Sequence, residues 1–244
     1  MSVEILDKLY DANIEVLDLT NNNISEFPES IGEFVNLQCL LFDYNKLKVV
    51  PESICEFVNL QCLLFNYNKL KVVPESIGKL VNLRRLYLHN NQLISLPKSI
   101  GKLVKLETLT LANNQLEVIP ESIGRLLNLK ELYLSNNQLI TLPESIGKLL
   151  NLKELHLNYN RLNNLPSSIL NIKKSLRIHI NAYEINNISL DTEFLIFTHL
   201  NEELTNLPIG LKEIWIEKEG YKNKNLNHKL PFGCVIKYFD WKIL

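Results

Sequence analysis

The chain has 244 residues, a mass of 28.3 kDa, a formal net charge of -1 and 46% hydrophobic residues. A charge this close to zero argues against a protein that clamps nucleic acid, because such proteins carry a basic excess. Four cysteines are too few for a disulfide scaffold, and the acidic N-terminus lacks the apolar core of a signal peptide, so we expect a soluble protein with reduced thiols.

The segment before the first repeat is predicted to form a short amphipathic helix. Ile5, Leu6 and Leu9 would share one face of that helix, and Ser2 is a suitable N-cap residue. A stack of repeats such as the one that follows exposes apolar surface at its ends, which a terminal segment must cover. We therefore expect an N-terminal cap helix over residues 1–13.

A phrase of 23 residues recurs seven times along the next part of the chain. Its general form is L-x-x-L-x-L-x-x-N-x-L-x-x-L-P-x-S-I-G-x-L-x-N. Its proline recurs as Pro28, Pro51, Pro74, Pro97, Pro120, Pro143 and Pro166. A period of this length indicates a solenoid, in which each unit buries its apolar face only against its neighbours. Residues 14–174 are therefore predicted to hold seven stacked repeats.

Each part of the repeat has a physical role. The L-x-L core alternates with period two and predicts a short strand with one buried face. Proline fixes φ at the start of the return segment, where Ser-Ile-Gly-x-Leu predicts a short helix. The asparagine after the strand falls where the chain must turn, and its inward amide can satisfy backbone groups of neighbouring repeats. This structural column comprises Asn22, Asn45, Asn68, Asn91, Asn114, Asn137 and Asn160.

These residues resemble the leucine-rich repeat family, in its 23-residue intracellular form with the L-P-x-S-I-G-x-L motif, which occurs in Ras-pathway scaffold and Ras-suppressor proteins. The resemblance covers residues 14–174. It implies an α/β fold: a curved solenoid with a parallel β-sheet on the concave face and short helices or 3-10 turns on the convex face. It also implies that the concave face binds other proteins and that the repeats carry no catalytic residues.

The last third of the chain departs from the repeat but keeps its apolar spacing. Four further units are predicted at residues 178–180, 194–197, 211–216 and 234–244. The phrase Leu207-Pro-Ile-Gly-Leu-Lys is similar to a signature of divergent repeats found in amoebae and their giant viruses, and Tyr183 takes the asparagine position. We expect residues 175–244 to continue the solenoid as degenerate repeats with a C-terminal cap; a separate small domain after residue 174 is the alternative. The cap is predicted to be an aromatic lid of Trp215, Tyr238, Phe239 and Trp241.

The x positions of the strand are predicted to face solvent on the concave side, because the leucines point inward. Parallel strands align these residues into ladders, from which we predict a binding surface of aromatic, aliphatic and polar side chains. Its members are Leu41, Tyr44, Leu64, Tyr67, Tyr87, His89, Tyr133, His156 and Tyr159. Tyr87 and Tyr133 should flank a shallow gap over Thr110 that a partner side chain can enter. The alternative is that these residues only pack on one another, which stabilises the sheet by roughly 0.2–1 kcal/mol per pair.

No metal, cofactor or catalytic site is predicted. His156 and His179 would lie on adjacent strands, close enough to chelate an ion, but the pattern offers no carboxylate or third ligand beside them. Cys39 and Cys62 occupy the same position in two nearly identical repeats, and duplication explains the match without redox chemistry. The glycines recur with the repeat and form no phosphate-binding loop, and the pattern assembles no nucleophile with a base.

The sequence therefore predicts a non-enzymatic protein–protein interaction module in the cytoplasm, or in the host cytoplasm if the source is viral. The expected partner is a protein of unknown identity, by resemblance a signalling protein, and we expect neither nucleic acid nor membrane as a partner. A monomer is expected rather than a homo-oligomer. Two alternatives stay open: a substrate-recognition subunit that works with a separate enzyme such as a ubiquitin ligase, and a self-associating structural protein.

Overall fold

A computed structural model describes residues 2–162, 165–172, 176–180, 194–197, 211, 213–217 and 233–239. Short strands and 3-10 helices alternate along these residues. The strands are β1 (Ser2–Ile5), β2 (Lys8–Asp11), β3 (Val16–Asp18), β4 (Cys39–Leu41), β5 (Cys62–Leu64), β6 (Arg85–Tyr87), β7 (Thr108–Thr110), β8 (Glu131–Tyr133), β9 (Glu154–His156), β10 (Arg177–Ile180), β11 (Phe194–Phe197), β12 (Glu213–Glu217) and β13 (Val235–Phe239). The 3-10 helices are η1 (Glu29–Glu33), η2 (Glu52–Glu56), η3 (Glu75–Lys79), η4 (Lys98–Lys102), η5 (Glu121–Arg125), η6 (Glu144–Lys148) and η7 (Ser167–Asn171).

The N-terminal segment is a β-hairpin, and the prediction of a cap helix over residues 1–13 is wrong. Strands β1 and β2 pair antiparallel. Between them, Leu6 and Asp7 have φ angles of 51° and 60°, the left-handed conformation of a two-residue hairpin turn. The apolar residues follow period two: Ile5 is buried, as is the residue two positions before it, whereas Leu9 is 73% exposed. The helical pattern depended on Leu6 and Leu9, which lie outside the core.

The hairpin nevertheless packs against the end of the repeat stack. Val3 and Ile5 belong to the same apolar core as the leucines of the repeats. The ring of Tyr10 meets the ring of Phe34 edge-on, with centroids 6.3 Å apart. The surface that a helix was expected to cover is therefore in contact with a hairpin.

The other strands form one parallel sheet, which contains eleven strands within the described residues, in the order β3 to β13. Neighbouring strands of the repeats pair with an offset of 23 residues, as for Leu40, Leu63 and Leu86. The middle leucine of each repeat strand is fully buried: Leu17, Leu40, Leu63, Leu86, Leu109, Leu132 and Leu155. The predicted parallel solenoid, with short 3-10 helices on its return side, is confirmed.

The asparagine column lies directly after the strands and links each repeat to the one before it. Oδ1 of Asn114 accepts a hydrogen bond from the amide of Leu93 at 2.9 Å. Its Nδ2 donates to the carbonyl oxygens of Leu88 and Leu111, both at 2.9 Å. Equivalent bonds to the preceding repeat are made by Asn45, Asn68, Asn91, Asn137 and Asn160. Asn22, in the first repeat, is half-buried.

The return side of each repeat is a five-residue 3-10 helix that follows a proline with φ between -70° and -63°. Neighbouring helices approach so closely that a Cβ atom on Gly124 would lie only 2.5 Å from the carbonyl oxygen of Ser145. Glutamates at the starts of these helices accept hydrogen bonds from backbone amides of the next repeat. The carboxylate of Glu75, for example, accepts a hydrogen bond from the amide of Ser99 at 3.0 Å.

The parallel sheet continues beyond the seventh repeat. Strand β10 pairs with β9, and β11, β12 and β13 follow in order at the positions of the four predicted further units. Ile178 and Ile214 are buried. Some predicted features lie outside the described residues: Tyr183, Trp241 and the side chains of Trp215, Tyr238 and Phe239. Over the ranges that the structure describes, no helix has the length and apolar character needed to cross a membrane.

Candidate binding surface on the open face of the sheet

Two positions of each repeat strand face away from the core, and they place two ladders of side chains on the open face of the sheet. The first ladder is Val16, Cys39, Cys62, Arg85, Thr108, Glu131, Glu154 and Arg177. The second ladder is Asp18, Leu41, Leu64, Tyr87, Thr110, Tyr133, His156 and His179. The predicted surface takes residues from the second ladder and from positions after the strands. It includes none from the first ladder, although residues i and i+2 of a strand share one face.

A hollow of about 280 Å³ lies between Tyr87 and Tyr133, over Thr110. This is the position of the gap predicted from the sequence. The hollow exists because Thr110, between the two tyrosines in the register, is smaller and buried. Its lining consists of Tyr87, His89, Thr108, Thr110, Ala112, Glu131 and Tyr133.

The hollow combines aromatic surface with a negative charge. Thr108 Oγ1 donates a hydrogen bond to Glu131 Oε2 at 3.2 Å, and none of the ion pairs within the described residues involves Glu131. Burial raises the pKa of the Tyr133 hydroxyl to about 12, and the charges of Glu131 and Glu154 add to the rise. The hydroxyl therefore remains a hydrogen-bond donor at neutral pH.

Three further tyrosines from the predicted surface follow their strands in a left-handed backbone conformation. Tyr44, Tyr67 and Tyr159 have φ angles of 55°, 53° and 59° where most repeats place asparagine, and this region costs a bulky residue more than asparagine. All three side chains are exposed. Tyr44 and Tyr67 stack with centroids 4.3 Å apart, and Tyr67 meets His89 edge-on at 5.2 Å. Because His89 also lines the hollow, this aromatic row extends from the hollow towards the first repeats.

The structure thus brings only part of the predicted surface together around one hollow. Tyr87, His89 and Tyr133 line it. Leu41 and Leu64 are half-buried register partners next to Tyr87, and they extend the same ladder away from the hollow. The surface predicted from the sequence does not include Glu131 and Thr108. The period of two within each strand could have identified them, because each lies two residues before a position of the second ladder.

Beside the hollow, three rings stack across three strands. The centroids of Tyr133 and His156 are 4.4 Å apart, and those of His156 and His179 are 3.6 Å apart. Glu154 lies with them: its Oε2 is 3.2 Å from His179 Nε2 and 3.9 Å from His156 Nε2. Its Oε1 accepts a hydrogen bond from Arg177 at 2.9 Å. The expectation that no carboxylate accompanies the two histidines is wrong, because Glu154 precedes His156 by two residues on the same strand face.

Burial and charge set the protonation of this cluster. Burial lowers the pKa of His156 to about 3, the electrostatic interaction with His179 acts in the same direction, and Glu154 opposes both. Burial alone would raise the pKa of Glu154, but the hydrogen bond from His179 and the charge of Arg177 lower it on balance. At neutral pH His156 is therefore an uncharged imidazole beside a carboxylate.

The remaining charged and thiol groups on the sheet offer less to a partner. Glu107 pairs with both Lys130 and Arg84, at 2.5 Å and 2.8 Å, and these bonds lower the pKa of its carboxyl. Exposed pairs of this kind contribute under about 1 kcal/mol each. Cys39 and Cys62 are free and face each other across β4 and β5. Burial raises the pKa of the Cys62 thiol to about 12, so the reactive thiolate is scarce.

Family models for leucine-rich repeats match three parts of the chain. The model described as a leucine-rich repeat region matches residues 68–139, and the model described as a leucine rich repeat matches residues 13–34 and 151–172. None of the curated proteins matches the chain.

Two solved structures resemble the fold along most of the chain. The chain is 25% identical to a leucine-rich repeat protein of Leptospira interrogans, with a TM-score of 0.58 over 95% of this chain and 76% of that one. It is 28% identical to the plant peptide hormone receptor RGFR1 in complex with RGF2, with a TM-score of 0.62 over 78% of this chain and 34% of the receptor.

Proposed function

Because the chain is a leucine-rich repeat solenoid, we propose that it is a non-enzymatic module that binds a partner protein on the open face of its sheet. The strands recur every 23 residues, and L-P-x-S-I-G-x-L phrases stand between most of them. These features support assignment of the repeats to the intracellular type, and we propose the cytoplasm as the compartment.

The hollow between Tyr87 and Tyr133 is the observation that carries the proposal. Two tyrosines supply apolar area and hydroxyl groups on side chains with few rotatable bonds, which is typical of interface hot spots. The small side chains of Thr110 and Ala112 leave room for one partner side chain between the rings. Glu131 favours a lysine or an arginine there, since a cation can pair with the carboxylate and contact the aromatic rings.

The comparisons support the mode of binding. Leucine-rich repeat proteins generally bind other proteins, and the plant peptide hormone receptor is in complex with RGF2. This chain spans about a third of that receptor. We therefore carry over only the use of the solenoid as a binding surface, and RGF2 is not proposed as a ligand of this chain.

The test is a binding titration with a partner recovered by pull-down on the full chain. The Tyr87→Ala plus Tyr133→Ala variant should weaken binding by at least ~2 kcal/mol, while its melting temperature changes little because neither ring lies in the solenoid core. The control is a Val81→Ala plus Val104→Ala variant, since both valines are exposed in the turns after η3 and η4. Full affinity in the tyrosine variant, or equal loss in the valine variant, would contradict the proposal.

Two further measurements distinguish which kind of molecule binds to the open face of the sheet. Glu131→Gln should weaken the binding of a partner that inserts a basic side chain into the hollow, and it should leave the binding of a neutral side chain unchanged. Light scattering on the purified chain reports self-association. A concentration-dependent dimer that disappears in the tyrosine variant would assign the face to a second copy instead of a partner protein.

A further inference from the structure

We propose that Glu154, His156 and His179 form a binding site for one divalent transition-metal ion of the zinc class, on strands β9 and β10. This site goes beyond the proposed function and does not depend on it. His156 and His179 are register partners on adjacent parallel strands, and Glu154 lies two residues before His156. All three side chains therefore leave the sheet on the same face.

The three groups already lie together. One potential ligand atom from each residue falls within 4.8 Å of the other two. Ligands of tetrahedral zinc stand about 2.0–2.1 Å from the ion, and therefore roughly 3.4 Å from one another. The Glu154–His179 distance of 3.2 Å meets that spacing, whereas the Glu154–His156 distance of 3.9 Å is longer. The His156 and His179 rings stack with their planes 14° apart, so binding of one ion by both requires the half-buried His156 ring to rotate out of that stack.

His179 is not an ordinary buried histidine. The residue is 5% exposed, and its Nδ1 has no hydrogen-bond partner within the described residues. Its other nitrogen, Nε2, lies 3.2 Å from the Oε2 atom of Glu154. Buried polar groups are usually satisfied, so a ring held this way calls for an explanation. An ion at Nε2 would take the place of the hydrogen bond to Glu154 and fix the ring, while Nδ1 stays without a partner within the described residues.

The surroundings favour binding of a cation by this cluster. Arg177 holds Oε1 of Glu154 at 2.9 Å and leaves Oε2 directed at the histidines, as an outer-shell partner of a metal ligand does. Tyr133 covers the outer face of the His156 ring.

The chemistry of the ligands selects the kind of ion. Two imidazoles and one carboxylate suit zinc, nickel and copper(II), whereas magnesium and calcium require mostly oxygen ligands. Three protein ligands leave a fourth coordination position on the open face of the sheet, where water or a partner group can bind. The ion would join the last regular repeat to the first divergent one.

The experiment uses the full chain, stripped with EDTA and titrated with zinc chloride by calorimetry and with cobalt chloride by visible absorption. We expect one ion per chain, with cobalt bands of nitrogen and oxygen ligation, and no binding of magnesium. His156→Ala and Glu154→Gln should each weaken zinc affinity by at least about 100-fold, more than loss of an outer-shell partner usually does. His89→Ala, a half-buried histidine on the same face, is the matched control and should keep wild-type affinity.

Several results would overturn the proposal. Absence of zinc and cobalt binding by the full chain is one, and wild-type affinity in either ligand variant is another. A cobalt–thiolate charge-transfer band would place the ion at a cysteine instead. Circular dichroism checks that each variant is folded. If Glu154→Gln unfolds, His156→Ala decides, because it leaves Glu154 paired with His179 and Arg177.

Discussion

The side-chain amide of Asn114 donates a hydrogen bond to the carbonyl oxygen of Leu88, which precedes it by 26 residues, at 2.9 Å. The bond joins two repeats inside an otherwise apolar core. Because the same bond recurs from Asn45 to Asn160, the repeats are connected by a polar column as well as by leucine packing. Loss of one member breaks a contact between two repeats and leaves the others intact.

Asn114→Ala should lower the free energy of unfolding by about 1–3 kcal/mol, because it leaves the buried amide of Leu93 without a partner and removes one of the two side-chain hydrogen bonds to the carbonyl oxygen of Leu88. The damage should begin locally, since repeats couple mainly to their neighbours. Urea unfolding followed by circular dichroism measures the loss, and hydrogen exchange locates it. Gln115→Ala is the control, because that neighbouring side chain is exposed. Equal urea midpoints for Asn114→Ala and wild type would show that the column does not stabilise the fold.

The fold was predictable because its signal is repeated. A departure from the pattern in one repeat is corrected by the six other in-phase copies. The strand at the L-x-L core and the turn at the asparagine could therefore be assigned to all seven repeats. The N-terminal segment occurs once, and Ile5, Leu6 and Leu9 fit a helical face as well as a strand and a turn. Only packing decides, since the hairpin buries Val3 and Ile5 together against the first repeat.

The candidate sites were predicted less completely, because they depend on register between strands. The hollow follows from the size of Thr110 between two tyrosines, which the repeat alignment shows directly. The cluster at Glu154 depends on where the first divergent repeat pairs with the last regular one. Once Arg177 is opposite Glu154, the carboxylate and both histidines share a face. The repeat alignment places the two histidines correctly on adjacent strands, but the prediction omits Glu154, although period two along the strand places it on the same face as His156.

A pair of substitutions in the hairpin separates the observed strand from the predicted helix. Ile5→Ala should destabilise the protein by about 2–5 kcal/mol, because a side chain that is 2% exposed leaves a cavity in the core. Leu9→Ala should change stability by less than about 0.5 kcal/mol, since that side chain is 73% exposed. Thermal and urea unfolding of both variants provide the measurement. A large loss from Leu9→Ala would favour the helix.

Two glycines in equivalent repeats should respond in opposite ways to the same substitution. In Gly124→Ala the new Cβ atom would lie 2.5 Å from the carbonyl oxygen of Ser145, so the helices must move apart and stability should fall by roughly 1–3 kcal/mol. Gly32→Ala meets only the end of the Glu56 side chain, at 3.7 Å. It should be neutral or stabilising by up to about 1 kcal/mol, because alanine restricts the unfolded chain. Melting temperatures of the two variants, measured together, test the difference; the same sign in both would refute the close approach.

The cluster at His156 should make the protein less stable in mild acid. Its pKa is about 3 in the folded state, against an ordinary value of 6.5, because burial and the electrostatic interaction with His179 disfavour protonation while Glu154 opposes them. Between these two values the unfolded chain binds a proton that the folded chain does not. The free energy of unfolding should therefore fall as the pH drops from 6.5 towards 3, by up to roughly 1.4 kcal/mol per pH unit from this residue.

Urea unfolding between pH 6.5 and pH 5, with EDTA present, isolates the effect of His156. In that window the carboxyl of Glu154, whose pKa is lowered, stays ionised, and Arg177 keeps its charge. His156→Gln should flatten the dependence on pH, because glutamine takes up no proton in either state. Burial also lowers the pKa of His89, so His89→Gln serves as the comparison. It should remove only the contribution of His89 to the pH dependence of the free energy of unfolding, and the larger contribution of His156 should remain. If His156→Gln keeps the wild-type slope, the histidine is accessible to protons in the folded protein, and the buried stack described here does not form.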